Sequence, residues 1–428
     1  MSILTLLFLI LSFLLSWQRQ VYGLVIYLIF WILVSLDNAP GPLSDLASFG
    51  ASMNQYLILV LFFNCLLKKR LSMSNASKKI IYTILILFIY LTVNHFFFSI
   101  DMEYSSFSLN RILKFLILMF TVSMSIKSRY DFTLISYSLM MMTVFQMILF
   151  LYHHYSFPNA MHNVFIDNIS KIILTCFIFI SLSKNKPISI NNIFLLIVLF
   201  MLSQNTFLIG SRRIFVAYIL SGVCIYYFNL FKKKQKIRLY YIFIVFIFLG
   251  LVNYTISPEG LNARIEQSSN LLDYENDQRN RSWSGRVILW ASAINMFLDS
   301  PIFGNGVGVS WLFLDDYAWL SDGMVLDDYK RVHNLLLKSL AEIGIIGTVI
   351  YYYLWFFLLI RLYKIYKSNH LNDVLFANLT LCYFCGLLIM IPFSIFGWSG
   401  YLNKPFWFFT GIVVAASNIK DVENKKLI

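Results

Sequence analysis

Long apolar runs dominate this chain: positions 3–16, 20–36, 53–67, 79–98, 109–126, 131–151, 166–183, 190–208, 213–231, 239–256, 335–360, 373–393 and 404–418 carry few charges or none. Hydrophobic residues make up 59% of the 428 and charged residues only 13%, more apolar surface than a soluble core could bury. Hydrocarbon offers a peptide group no hydrogen-bond partner, so each run is expected to be a helix. The expected fold is an all-α integral membrane protein of about 12–13 transmembrane helices with one large loop outside the bilayer. The run 3–16 is short, yet it lacks the basic n-region and small-residue cleavage site of a secretory signal, and it reads as a first helix. Thirteen spans put the N-terminus outside and twelve put it inside; both stay open.

A formal charge of +13 invites a nucleic-acid reading, but the placement of the charges opposes it. Alternate loops hold Arg19; Lys68, Lys69, Arg70, Lys78 and Lys79; Lys127 and Arg129; Lys184 and Lys186; Lys232, Lys233, Lys234, Lys236 and Arg238; Arg361, Lys364 and Lys367; and Lys420, Lys425 and Lys426. These 21 basic residues share their side with four acids, whereas the other side has 13 basic and 17 acidic residues. That is the positive-inside pattern, so the basic loops and the C-terminus are expected in the cytoplasm. The clusters lie in short loops without a shared aromatic platform, which suits anionic lipid headgroups and not a nucleic acid. Residues 1–256 then form a bundle of about ten spans. Residues 257–334 form an outward loop with an amphipathic helix, and residues 335–428 supply the last helices and a cytoplasmic tail.

The outward face holds the candidate chemistry, because charges near a membrane are costly unless paired or wetted. Arg212 and Arg213 occupy a turn of a few residues between two spans, against the orientation signal. A guanidinium fork suits two oxygens of a phosphate, although snorkelling to headgroups is the plain alternative. In the loop, Val287, Trp290, Ala291, Ile294, Phe297 and Leu298 recur at helical spacing, with Ser284 as a cap and Ser300-Pro301 as a stop. Arg286 falls in the first turn of that helix, where backbone N–H groups also favour an anion. Arg264 and Arg331 in the same loop, and Arg111 with Lys114 at the outer end of another span, are further cations that could ring a cavity.

His333 and Asn334 stand at the mouth of the run 335–360. A helix N-terminus favours neutral imidazole, which leaves a ring nitrogen to take a proton and makes His333 a candidate general base. A lone histidine is more often structural, and only its company raises it. Glu342 lies about 13 Å deeper on a regular helix, where it would pair with a cation or orient the base. Gly344 and Gly347 beside it suggest close helix packing. Gly304, Gly306 and Gly308 read as a turn, since no strand or Walker lysine accompanies them. His153, His154 and His162 lack the spacing of a helical zinc site, and Asp315, Asp316, Asp322, Asp327 and Asp328 lack that of an EF-hand. No metal and no cofactor is expected. Cys382 and Cys385 form a C-x-x-C within an apolar run, where packing and not redox chemistry is expected.

Taken in order, Ser211-Arg212, Gly285-Arg286 leading to Trp290, Ser300-Pro301-Ile302-Phe303-Gly304-Asn305-Gly306, His333-Asn334, and Glu342 to Gly347 resemble the O-antigen ligase and polymerase superfamily. The resemblance covers roughly residues 205–350. It implies a metal-independent, GT-C-like membrane glycosyltransferase that uses undecaprenyl-diphosphate-linked glycans at the periplasmic face of a bacterial inner membrane. It places the family's two functional arginines on Arg212 and Arg286 and its histidine on His333. Arg213, Arg264, Asn334, Arg331 and Arg111 are then candidates for substrate binding, and a chain-length regulator protein is a candidate partner. The Phe, Ile, Lys and Asn bias resembles chains encoded in O-antigen clusters, which favours a polymerase over a ligase. A transporter of the same lipid-linked units is the competing class; it would line a central path with cations instead of gathering them at one surface.

Overall fold

The computed structural model describes residues 3–34, 42–68, 73–156, 168–184, 197–199, 201–202, 212–230, 281–314, 316–317, 332–370, 372–394 and 400–426. The helices are α1 (Ile3–Gln18), α2 (Gln20–Val34), α3 (Pro42–Leu67), α4 (Asn75–Phe98), α5 (Met102–Ser125), α6 (Arg129–Ser156), α7 (Asn168–Lys184), α8 (Arg212–Leu230), α9 (Arg281–Asp299), α10 (Ser310–Phe313), α11 (Leu335–Asn369), α12 (Val374–Ser394) and α13 (Lys404–Lys426), with a 3-10 turn at Gly400–Leu402. No strand occurs among the described residues. The expected span 239–256 lies outside them, as does most of 190–208.

Five of the described helices, α4, α5, α6, α11 and α12, are long and apolar enough to cross a bilayer. Their outward faces carry the same message. On α4 the exposed residues Tyr82, Ile86, Ile89, Val93 and Phe97 form one apolar stripe at helical spacing, while Ser77, Ile80, Ile84, Leu87, Leu91 and Asn94 are buried on the other side. An apolar stripe turned away from the protein needs lipid, not water, as its solvent. The chain is an all-α integral membrane protein.

Polar side chains fix the ends of the bundle. Ser74 caps α4, Asp101 caps α5, and Ser128 with Asp131 forms a reciprocal capping box at the start of α6. Arg129 reaches across to Asp373 at 2.9 Å and to Asn369, tying α6 to the turn between α11 and α12. Ser74 meets Asn418 of α13, and Arg19 meets Asp131. These contacts gather the basic turns near residues 19, 68, 127 and 129 and the 369–373 turn at one end. The α4–α5 turn lies at the other end, where Ile100 donates to the carbonyl of Asn305.

One expected face is corrected. Helix α9 begins at Arg281, which places Ser284 inside its first turn and not at its cap. Its packed side is Leu289, Ser292, Ala293 and Met296, while Ile294 and Leu298 of the expected stripe are exposed. The helix carries two apolar stripes, and the one with small residues is the one that approaches the bundle closely. The larger residues are left for the membrane surface.

Candidate functional site

Helix α11 is broken. Gly344 has φ 62° and ψ −172°, so the helical ladder stops about 14 Å below Leu335 and restarts at the next residue. Such a break leaves backbone groups without their helical partners, which hydrocarbon cannot replace. The segment following α9 supplies them. Asn305 N–H donates to the Ala341 carbonyl at 3.0 Å and Gly306 N–H to that of Glu342 at 2.9 Å. The Tyr90 hydroxyl donates to the Ile343 carbonyl at 2.7 Å. In return Ile345 N–H reaches Pro301 O at 2.9 Å and Ile346 N–H reaches Ile302 O at 3.4 Å. Asn94 of α4 and the stacked rings of Phe98 and Phe303, 4.1 Å apart, hold the segment from the far side. Gly304 and Gly344 meet backbone to backbone, and a Cβ on either would fall within 2.6 Å of the other's chain.

Glu342 sits at the break and is fully buried. Ser310 Oγ donates to its Oε1 at 2.6 Å, the Tyr401 hydroxyl donates to Oε2, and Lys338 Nζ stands 3.7 Å from Oε1. A buried carboxyl group is tolerable only when its oxygens are met in this way. The partners come from α10, the 3-10 turn and α11 itself, so Glu342 ties three elements to one point. Trp407 holds the Tyr401 carbonyl at 2.8 Å and thereby fixes the turn that carries the phenol.

Two turns above, His333 is exposed and has φ 49°. Its neighbours Val332 and Asn334 are buried. The Asn334 side chain accepts from Leu337 N–H at 3.1 Å and so caps α11. Trp290 of α9 donates its indole N–H to the Val332 carbonyl at 3.0 Å. Histidine between two anchored neighbours is thus held at an exposed position in a left-handed conformation that L residues adopt at a cost. Asn334→Ala is expected to destabilise the protein by about 1 kcal/mol, and Asn334→Asp to retain most of the cap; melting temperatures in detergent check this.

Arg286 lies one turn before Trp290 on α9, and α9 packs on α11. Arg212 and Arg213 open α8. The far end of α8 meets the far end of α11, where the Tyr366 hydroxyl donates to the Phe228 carbonyl at 3.3 Å. The side chains of Arg212, Arg213 and Arg286, and all of Arg264 and Arg331, lie outside the described residues. Arg111 is exposed on α5 and makes no ion pair among the described residues. Of the histidine triplet, His153 and His154 lie in α6 and His162 lies outside the described residues.

The sequence reading passed over Lys338, Ser310, Tyr401, Tyr90 and Asn94. Lys338 had a usable signal: Asn334, Lys338 and Glu342 follow at intervals of four, one helical face leading from the mouth to the break. The other four are brought in by tertiary contact alone.

No curated protein matches the chain. Residues 169–352 match the protein family described as O-antigen ligase, a stretch that includes α7, α8, α9, α10, His333 and the break in α11. This match falls on the residues that also bear the ordered motifs, and over that stretch the chain is similar to the O-antigen ligase family.

Proposed function

We propose that this protein is an O-antigen polymerase, a metal-independent glycosyltransferase that joins undecaprenyl-diphosphate-linked repeat units at the periplasmic face of the bacterial inner membrane. The observation that carries the reading is His333, exposed and held at positive φ between two buried neighbours. Strain kept at one exposed residue of a family-bearing segment is what a positioned reactive group requires. In the reaction an acceptor hydroxyl attacks the anomeric carbon of the donor sugar. A C–O bond forms as the bond to the diphosphate breaks, the electron pair leaves with the diphosphate, and the hydroxyl proton passes to His333. Arg212 and Arg286 balance the charge growing on the departing phosphate oxygens. Arg213, Arg264, Arg331 and Arg111 hold the anionic donor, and the cap of Asn334 keeps His333 in place.

A ligase that passes the finished polymer to lipid A-core uses the same donor chemistry, and the matched family's description favours it as the second reading. The two differ in acceptor, so a genetic background decides between them. A strain deleted for this chain is expected to make lipopolysaccharide capped by a single repeat unit, and re-expression is expected to restore the ladder on a gel. Bare core in the deletion strain would assign the ligase instead, and lipid-linked units trapped on the cytoplasmic side would assign a transporter.

A further inference from the structure

At the end of the bundle opposite His333, the α1–α2 turn, the end of α3 and the α5–α6 turn enclose a cavity of about 460 Å³. Arg19, Lys68 and Lys127 line it, with Asp131 as its one acid. Asp131 is already occupied: Arg19 holds Oδ1 at 2.7 Å, and Oδ2 accepts the backbone N–H groups of Lys127 and Ser128. The carboxylate therefore fixes Arg19 in place and leaves the cavity's charge positive. Lys68 lies against the end of α1, donating to the carbonyls of Ser16 and Trp17.

Gln20 makes this cavity a built site. It lines the cavity, is 5% exposed, and neither its amide nitrogen nor its amide oxygen has a partner among the described residues. A buried amide without partners costs free energy, which a cavity occupant offering both an acceptor and a donor would recover. Phosphate oxygens beside a hydroxyl meet that need, and the surrounding cations favour the phosphate. The aromatics give the depth. Exposed Trp17 lies 5.2 Å from Lys68 Nζ, and exposed Tyr130 lies 4.4 Å beneath the Arg19 guanidinium. Tryptophan and tyrosine at a helix end mark the headgroup level of a bilayer.

We propose that this cavity binds the phosphate-bearing, hydroxylated headgroup of an anionic membrane lipid, of the glycerophosphate class, in the leaflet that faces the basic loops. The site is separate from the glycosyl-transfer reading and does not depend on it.

The full-length protein, purified in detergent, is mixed with equal amounts of phosphatidylglycerol and phosphatidylcholine, and the lipids it retains are quantified by native mass spectrometry. The wild type is expected to prefer phosphatidylglycerol by about 10-fold, and Lys127→Gln to lose about 5-fold of that. Gln20→Leu is expected to weaken the preference while raising or preserving the melting temperature, because it removes an unpartnered amide. That pairing separates a lost ligand from a lost fold. An unchanged preference in both variants overturns the proposal. So does displacement of the lipid by millimolar glycerol 3-phosphate, which would assign the site to a free anion.

Discussion

His333→Ala is expected to slow glycosyl transfer by about 10²–10⁴-fold, the usual worth of a general base, while the protein inserts and melts much as the wild type does. Side-chain loss at an exposed position leaves no buried cavity, so a collapse of the fold is not expected to accompany it. The backbone provides a sharper comparison. At φ 49° an alanine stays strained but a glycine does not, so His333→Gly is expected to be about 1 kcal/mol more stable than His333→Ala and equally inactive. The stability gap between the two variants measures the backbone strain held at this position. Arg212→Ala and Arg286→Ala are expected to be inactive too, and Lys at either position to recover only part, because an ammonium cannot offer a planar fork to two phosphate oxygens. Lipopolysaccharide ladders and transfer assays on purified protein measure all six. A full ladder from His333→Gly at normal expression would falsify the assignment of the base.

Much of the fold was legible because hydrophobic length is a local property. The run 79–98 appears as α4, Asn75–Phe98, lengthened at its start by polar residues that Ser74 caps. The run 53–67 appears as the end of α3, which begins at Pro42 among residues too polar to score as a span. The place of His333 at the mouth of α11 was legible as well, since it stands where polar loop meets apolar run. The break at Gly344 was not. Apolar residues continue through 335–360 on both sides of it, and periodicity alone reads one straight helix. Gly344 beside Glu342 reads as a site of close helix packing, but the partner that makes a break tolerable lies some 40 residues earlier, at Pro301–Gly306. A pairing between distant backbones leaves no mark on either stretch that one sequence can reveal. For the same reason the sequence points to the stripe through Ile294 and Leu298 on α9, and only contact with α11 shows that the packed face is the one through Leu289, Ala293 and Met296.

Gly344→Ala and Gly304→Ala are expected to cost on the order of 4 kcal/mol each, near the upper end for single substitutions. Positive φ accounts for about 1–2 kcal/mol of this in any L residue. The rest follows from what a Cβ would meet. At Gly344 it would fall 2.3 Å from the Ile302 carbonyl oxygen, and at Gly304 it would fall 2.4 Å from the Gly344 nitrogen. Both obstacles are backbone, and moving either pulls apart bonds that satisfy the broken helix, at roughly 1–3 kcal/mol for each buried group left unpaired. Gly347→Ala is the control. Its φ is ordinary and its Cβ would meet side-chain atoms and no backbone, the Tyr90 ring at 2.5 Å and Ile343 Cβ at 2.8 Å, so about 1–3 kcal/mol is expected. Melting of the detergent-solubilised proteins ranks the three, and hydrogen exchange at residues 341–346 locates the damage. Equal melting of Gly344→Ala and Gly347→Ala would mean that the break is incidental packing. Specific activity, corrected for the folded fraction, carries the argument to function. The half-helix above the break bears Asn334 and Lys338 and is tied through Glu342 to Ser310 and Tyr401, so loosening its lower end moves the seat of His333. Transfer by the folded Gly344→Ala protein should therefore fall by more than 10-fold, as misplacement of a reacting group by even 1 Å does, while folded Gly347→Ala works near the normal rate.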